Sequence, residues 1–418
     1  MAAGRFPRGF VLAAVLAGLA ARLAFGLFYW VGEPLNRDEV EYLSLARNLA
    51  AGRGYDFDEY VKQGPVTPFG RAPGYPVFLA LTGGGTNSFA ALPVSVKIAQ
   101  AVAGGAGVLL IALAAFRLGG RRAAIAAAAI AAVHPPLTWI AGFAYSEAVF
   151  WPLGLALAIV TSRMLETRTS GWPLALGVGT LAGVAILVRA ATLLFVPIAI
   201  AWMLWKRQPR TAAVFLAGLA LVLGPWTARN VAVHGRFVLV ASDGGVTLWT
   251  GNNALATGEG DMAANPHLKL ANQALRAAHP GLTEEELEPI YYQESVGWMI
   301  DHPFAFAWLV VKKAFYTVVP IGPSYRLHST KYYLASVMTL AALVPLAIYG
   351  AWRLGAARAR LAGMWLLAAA AFATCLVFFP QERFRIPVLD PALILLASGA
   401  FVRAGDDAAD EAVIQRVA

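Results

Sequence analysis

Long apolar runs recur along this chain of 418 residues and are separated by polar stretches. A helix needs about 17–25 predominantly apolar residues to cross the hydrocarbon core of a bilayer. About ten runs approach that length, and several are short and rich in Ala and Gly, which suits close helix packing in lipid. The pattern predicts an all-α, polytopic integral membrane protein with about ten transmembrane helices. The runs are Phe10–Trp30, Val94–Phe116, Ala123–Ile140, Tyr145–Thr161, Trp172–Val188, Thr192–Trp205, Ala212–Trp226, Tyr333–Trp352, Leu361–Phe379 and Pro387–Val402.

Two long polar segments interrupt the apolar pattern, at Val31–Pro93 and Ala228–Lys331. The first begins as a helix, because Val40 and Leu43 start an apolar stripe at helical spacing and the polar Ser44 lies off it. We expect this helix to lie along the membrane surface.

The second polar segment predicts a small α+β region. The β-prone stretches Arg236–Ser242 and Val246–Thr250 flank Asp243-Gly244-Gly245, which indicates a β-hairpin. Thr283 can cap a helix through its spacing to Glu286. The aromatic segment Phe304–Val319, with its adjacent lysines, is expected to lie at the membrane interface.

Composition and charge exclude other classes of protein. Hydrophobic residues make up 59% of the chain and charged residues only 14%, which is too apolar for a soluble domain. The net charge of +9 does not indicate nucleic-acid binding, because the basic residues lie at the ends of apolar runs. Their distribution follows the positive-inside rule, which places both termini in the cytoplasm and both polar segments outside it. The lone Cys375 excludes an intramolecular disulfide.

These features divide the chain into four parts. An N-terminal membrane module of about seven spans covers residues 1–227 and includes the external first loop, 31–93. An external segment covers 228–331, and a C-terminal membrane module of about three spans covers 332–403. An acidic cytoplasmic tail covers 404–418.

Two adjacent carboxylates, Asp38 and Glu39, follow the first apolar run and open the predicted external helix. Carboxylates held just outside a bilayer could act on a substrate carried by a lipid. Asn36 and Glu39 also have the spacing of a capping box, so the acids could serve only to start the helix. Arg71 follows in the Gly- and Pro-rich loop Gly70–Pro76, which can return it to the membrane surface or form a solvated turn.

Charged residues at or within the apolar runs are a second group of candidates, because an ionisable group at membrane depth usually has a partner or a task. Arg22 lies inside the first run, where snorkelling to the headgroups is the alternative. For arginines predicted on the outer side, the positive-inside bias favours an anionic ligand. The outer candidates are Glu147, Arg189, Arg229, Glu382, Arg383 and Arg385.

Acids and arginines at the outer leaflet suit a substrate in which a phosphate joins a sugar to a long isoprenoid. Arginine binds phosphate bidentately and stabilises its charge as it leaves. A phosphate leaving group needs no general acid, whereas a hydroxyl that attacks the anomeric carbon needs a base. One carboxylate suffices, and Asp38 is placed for that role.

The order of these features resembles the polytopic glycosyltransferases of the type-C (GT-C) fold that use polyprenyl-phosphate sugars. Within that group it is most similar to the bacterial family that contains the lipid A aminoarabinose transferase and to relatives of protein O-mannosyltransferases. The resemblance runs through most of the chain. It is carried by Arg37-Asp38-Glu39-Val40-Glu41-Tyr42, Arg71-Ala72-Pro73-Gly74-Tyr75, Tyr145-Ser146-Glu147, Val188-Arg189, Pro225-Trp226-Thr227-Ala228-Arg229-Asn230, Asn252-Asn253 and Glu382-Arg383-Phe384-Arg385-Ile386-Pro387.

The resemblance implies a GT-C fold in which Asp38 is the catalytic acid and Glu39 lies beside it. It implies that Arg71 lies near the donor phosphate and that Arg189 and Arg229 are further phosphate ligands. Acceptor specificity does not carry over, because it resides in variable external parts of this fold. The other site candidates are Tyr42, Glu147, Glu382, Arg383 and Arg385.

The resulting hypothesis is a glycosyltransferase of the bacterial inner membrane. It would move one sugar, with inversion, from undecaprenyl or decaprenyl phosphate to an acceptor glycan, lipid or protein outside the cytoplasm. A flippase or transporter of a lipid-linked glycan is the main alternative, although no internal duplication is visible. A non-catalytic scaffold for envelope assembly is another.

A metal ion is not expected to be required. Asp38, Glu39, Glu147 and the cluster Asp56–Glu59 could nevertheless supply oxygen ligands for a divalent cation such as Mg²⁺ or Mn²⁺. The histidines are scattered, and nothing has the His and Cys spacing of a zinc site.

Overall fold

The computed structural model describes residues 5–57, 70–166, 171–260, 262–321 and 330–402, and the regular elements in these ranges are all helical. The helices are α1 (Arg8–Ala24), α2 (Arg37–Ala50), α3 (Gly74–Leu81), α4 (Val94–Val133), α5 (Pro135–Trp139), α6 (Glu147–Glu166), α7 (Trp172–Val188), α8 (Phe195–Trp205), α9 (Pro209–His234), α10 (Gly244–Gly251), α11 (Pro266–Ala278), α12 (Glu284–Asp301), α13 (Pro303–Val318), α14 (Thr330–Leu354), α15 (Ala362–Val377), α16 (Glu382–Arg385) and α17 (Leu389–Ser398). The tail 404–418 and the acids Asp58 and Glu59 lie outside the described residues.

The predicted apolar runs all fall on helices. Two of them share α4, whose halves meet at a kink where Gly119 and Gly120 leave helical geometry. Three shorter apolar stretches accompany five that are long and apolar enough to cross a membrane, so the described part has the build of a multi-pass membrane protein. The span count of about ten stays a prediction. The five long stretches are Arg8–Tyr29, Val94–Val133, Glu147–Glu166, Pro209–His234 and Thr330–Val377.

Small residues let the apolar helices approach one another closely, as the Ala- and Gly-rich runs predicted. The clearest case is the pair α7 and α9. A Cβ atom on Gly179 of α7 would overlap the carbonyl of Phe215, and one on Gly218 of α9 would overlap the carbonyl of Leu176. Backbone therefore contacts backbone where α7 and α9 cross. The pairs α1 with α4 and α14 with α17 also pack extensively against each other.

Arg22 does not snorkel, contrary to the alternative that its position in α1 allowed. Its side chain is buried between helices and only 1% exposed. The guanidinium donates to the carbonyls of Gly18, at 2.8 Å, and Ala131, at 3.4 Å, and lies over the ring of Trp151. Arg22 therefore links α1 to α4 and α6 within the helix bundle.

Helix α2 begins where the sequence predicted. Asn36 is its N-cap and forms a reciprocal capping box with Glu39, so two backbone N–H groups of the first turn are satisfied. The helix is packed on several sides, since the polar Ser44 and Asn48 are buried together with Leu43. Other parts of the chain therefore cover the polar side of α2, and the expectation that it lies along the membrane surface stays a prediction.

The β-hairpin predicted around Asp243 is also wrong, because α10 begins at Gly244. The carboxylate of Glu288 accepts the N–H groups of Gly244 and Gly245 at 3.1 and 3.2 Å, which stabilises a helix start there. The predicted capping box at Thr283 is present and starts α12.

Candidate active site

Asp38, in the first turn of α2, lies between two arginines from distant parts of the chain. Its Oδ1 accepts from Arg71 Nη2 at 2.6 Å, and its Oδ2 pairs with Arg383 Nη2 at 2.7 Å. All three side chains are partly open to solvent, with exposed fractions between 21% and 26%. The loop that follows α2 and the short helix α16 thus meet at one carboxylate.

Several contacts fix the position of Arg71. Tyr55 donates its hydroxyl to the Arg71 carbonyl at 2.6 Å, and Tyr42 places its ring beneath the guanidinium, 5.2 Å away. Glu41 accepts from both Nε and Nη2, at 3.0 and 2.6 Å. Gly74, three residues on, lies so close to the backbone at the end of α7 that it has no room for a Cβ. The loop therefore brings Arg71 beside the helix that ends before Arg189.

Arg383 is held by aromatic rings and by an amide. Its guanidinium lies over the rings of Tyr145 and Phe384, at 4.8 and 5.2 Å, which are favourable cation–π positions. Its Nε donates to Gln381 Oε1 at 3.0 Å. The head group can therefore rest against apolar rings while it presents one edge to Asp38.

Glu147 and Arg189 form a second ion pair beside the first. Arg189 Nη1 lies 2.8 Å from Glu147 Oε1 and also donates to the Ser146 hydroxyl at 3.3 Å. The Arg189 guanidinium covers the Phe384 ring, which Arg383 also contacts. Two of the predicted outer candidates therefore adjoin Asp38 through one aromatic side chain.

Glu39 is engaged in structural contacts. Its two carboxylate oxygens accept from the backbone N–H and side-chain amide of Asn36 and from the backbone N–H of Ala144, at 2.7–3.1 Å. Burial raises the pKa of Glu39, although these hydrogen bonds oppose the shift. The placement favours the capping function that the sequence left open, and it ties α2 to the loop before α6.

The charges of the two arginines dominate the ionisation of Asp38. Burial disfavours the charged carboxylate, but Arg71 and Arg383 outweigh it and hold the pKa of Asp38 well below its usual range. Conversely, burial disfavours the charged form of Arg383, yet the carboxylates of Asp38 and Glu147 raise its pKa. Asp38 is therefore a carboxylate at any physiological pH.

Some candidates lie elsewhere. Arg229 donates to the Tyr55 carbonyl at 3.3 Å and covers the Trp226 ring, so it borders the loop behind Arg71 without pairing with Asp38. Arg385 lies in a separate buried ion pair with Asp390, at 2.8 Å. It is not part of the Asp38 cluster, the group of charged side chains around Asp38, Arg71 and Arg383. Its burial explains the difference, because an arginine 3% exposed needs a carboxylate within the bundle. Glu382 is also buried.

Sequence reasoning missed two acids of the cluster. Glu41 lies three residues after Asp38, and this spacing places both on one helix face, which was a usable signal. Asp243, interpreted as a turn residue, lies 3.6 Å from Arg71 Nη1. No local pattern indicates that contact, which brings the two polar segments together at one end of the bundle.

Three carboxylates of the predicted metal-donor set, Asp38, Glu39 and Glu147, are engaged by other groups in the structure. Asp38 and Glu147 each pair with arginine, and Glu39 is saturated by N–H donors. Across the described ranges, no group of three or more His, Cys, Asp or Glu side chains could hold a metal ion.

Part of the chain matches a known family. The family model for dolichyl-phosphate-mannose-protein mannosyltransferases matches residues 71–226, which is less than half of the chain and includes Arg71 and Arg189. No curated protein matches the chain in sequence.

Several solved structures are similar to the chain. AglB, the oligosaccharyltransferase of Archaeoglobus fulgidus in complex with an inhibitory peptide and a dolichol-phosphate, is similar with a TM-score of 0.54 at 13% identity, over 99% of this chain and 52% of that chain. An oligosaccharyltransferase of the same organism in complex with Zn and sulfate has a TM-score of 0.52 at 15% identity, over 98% and 49%. ArnT from Cupriavidus metallidurans bound to undecaprenyl phosphate has a TM-score of 0.42 at 15% identity, over 95% and 78%.

The similarity to the archaeal enzymes confirms the predicted type-C glycosyltransferase fold. The chain spans about half the length of those enzymes. The chain is therefore a membrane protein with this fold, and it carries an aspartate flanked by two arginines at one end of its helices.

Proposed function

We propose that the chain is an inverting glycosyltransferase that moves one sugar from a polyprenyl phosphate to an acceptor hydroxyl, with Asp38 as the general base. The placement of Asp38 between Arg71 and Arg383 carries this proposal. A carboxylate beside two partly exposed guanidinium groups offers a base and a phosphate site within one hydrogen-bonding distance of each other.

The proposed reaction is a single displacement. The acceptor oxygen attacks the anomeric carbon, its proton passes to Asp38, and the bond from the anomeric carbon to the phosphate oxygen breaks. The electron pair leaves with the polyprenyl phosphate, whose charge Arg71 and Arg383 stabilise. Attack on the face opposite the leaving phosphate inverts the anomeric centre. The proton on Asp38 then returns to solvent.

Donor binding must raise the pKa of Asp38 for this mechanism to operate. A carboxylate with a lowered pKa is a weak base, and both arginines lower it in the structure. When a phosphate takes their charge, the pKa of Asp38 rises and the carboxylate becomes a better proton acceptor. The donor therefore switches on the base that it needs, and the enzyme does not deprotonate hydroxyls without it.

The family match and the dolichol-phosphate complex of AglB support a lipid-linked phosphate as the donor. We further propose that the bacterial inner membrane holds the chain, with both termini in the cytoplasm and the Asp38 cluster on the outer side. The basic junctions and the meeting of both polar segments at this cluster support that orientation. The sugar and the acceptor class, whether glycan, lipid or protein, stay open to assay.

Radiolabelled polyprenyl-phosphate sugars incubated with purified protein and cell-envelope extract test the proposal. Transfer of label to an envelope acceptor, lost in Asp38→Asn, supports it. Labelled donor that crosses the vesicle membrane without transfer of its sugar to an acceptor would support the transporter alternative instead. Absence of both transfer and transport with every donor would refute catalysis on these lipids.

A further inference from the structure

Lys313 on α13 is completely buried, although the sequence suggested a lysine at the membrane interface. Its ammonium donates to Asn252 Oδ1 at 2.6 Å and to the carbonyls of Leu376 and Val377 at 3.1 and 3.4 Å. These carbonyls belong to the last residues of α15, whose C-terminal end carries partial negative charge. Lys313 thus places a cation where that helix end needs donors.

Asn252 and Lys313 together form an anchor for the C-terminal end of α15. Its side-chain amide donates to the carbonyls of Leu248 and Val377, at 2.8 and 2.9 Å. The hydroxyl of Ser295 donates to the Asn252 carbonyl at 3.1 Å. Three external helices, α10, α12 and α13, therefore converge on the end of one membrane helix.

The chain that leaves this anchor leads directly to the active site. Phe379 packs on Gly260 so closely that a Cβ there would overlap its ring. Gln381 donates to the Gly260 carbonyl at 2.8 Å and accepts from Arg383 Nε at 3.0 Å. Arg383 then pairs with Asp38. A continuous set of contacts joins the buried lysine to the carboxylate.

We propose that Lys313 is a positioning residue: with Asn252 it fixes the C-terminal end of α15, and so the segment that carries Arg383 to Asp38. The effect on donor phosphate rests on the proposed function, whereas the anchoring does not.

The chemistry of the site explains why a lysine is used. Burial lowers the pKa of Lys313 to about 7, so an ammonium there is costly. Apolar residues of similar volume would pack without that cost, but they would leave buried carbonyls without their donors. The lysine is retained for the hydrogen bonds that it makes to the helix end and to Asn252.

Hydrogen exchange measured by mass spectrometry tests the anchoring without any substrate. Lys313→Met should raise the amide exchange of residues 378–384 by about tenfold or more, because the segment then opens locally. Lys312→Met, the neighbouring lysine on the same helix, is the matched control and should leave it unchanged. Unchanged exchange in Lys313→Met overturns the proposal. If that variant does not fold, Gln381→Leu breaks the next contact and should raise the exchange of residues 382–385 in its place.

A double-mutant cycle tests whether the lysine acts through Arg383. The measured quantity is the affinity for undecaprenyl phosphate in detergent micelles, from tryptophan fluorescence. Lys313→Met and Arg383→Ala should each weaken binding, and the double variant should bind no more weakly than Arg383→Ala alone. Lys313→Arg, which keeps the charge and donors, should recover most of the affinity. Additive losses overturn the proposal, whereas no binding by the wild type refutes only the donor and leaves the exchange result decisive.

Discussion

Asp38→Asn separates catalysis from donor binding. The substitution keeps the shape of the side chain but removes the negative charge that lies 2.6–2.7 Å from Arg71 and Arg383. Loss of a general base should lower kcat by about 10²–10⁴-fold. Donor phosphate should bind at least as tightly, because its anionic competitor for the arginines is gone.

The gain in phosphate affinity follows from Coulomb's law. A guanidinium that bridges two anions holds them about 5 Å apart, which gives a repulsion of about 1–3 kcal/mol at effective dielectric constants between about 80 and 20. The partial exposure of all three side chains favours the lower part of this range. Asp38→Asn should therefore bind undecaprenyl phosphate between about 5- and 150-fold more tightly.

Two assays measure the effects, tryptophan fluorescence for undecaprenyl phosphate binding and label transfer for turnover. Glu166→Gln is the control, because Glu166 forms an ion pair of the same 2.6 Å length with Arg117, between α6 and α4 and outside the cluster. It should change neither binding nor turnover. A variant at Asp38 that keeps wild-type turnover, or that loses phosphate binding, would refute the assignment of the base.

Three further outcomes are expected. Gly179→Leu should lower stability by about 1–3 kcal/mol in a detergent melt, because it meets a carbonyl of α9, whereas Gly177→Leu has open space and should not. Burial raises the pKa of Glu288 to about 7, above its value in the unfolded chain. The protonated form therefore stabilises the fold, and the wild-type protein loses stability as the pH rises towards 7. The side chain of Glu288→Gln does not titrate, so its melting temperature should rise relative to that of the wild type between pH 5 and pH 8. Arg383→Ala should weaken undecaprenyl phosphate binding by about tenfold or more, and Arg229→Ala by clearly less, because Arg383 pairs with the Asp38 carboxylate and Arg229 does not. Equal losses would contradict this arrangement of the site.

Local patterns in the sequence predicted the helices well. Apolar runs predict helices because a backbone in lipid must satisfy its own hydrogen bonds. The cap at Asn36 and the cap at Thr283 were also predictable, because each is made by residues three positions apart. The pairing of Asp38 with Arg71 was anticipated only as proximity to a common phosphate.

Contacts between distant segments account for what the sequence did not predict. Asp243-Gly244-Gly245 has the composition of a hairpin turn, yet Glu288, more than forty residues away, accepts its N–H groups and starts a helix. Lys313 and its neighbour have identical side chains, and only the packing of α13 decides that Lys313 is the buried one. Arg385 could have been paired with Asp390 from their closeness in sequence, but the resemblance assigned it with Arg383.

The pairing of Asp38 with Arg383 has a consequence for biogenesis. The two residues are separated by most of the chain, and Arg383 emerges from the ribosome only after α15 has been made. A nascent protein inserted up to that point holds an aspartate with Arg71 as partner but lacks the second guanidinium. The proposed catalytic centre therefore forms only after α15 and α16 have been made, so a nascent chain that has not reached that point would lack one of its two guanidinium groups.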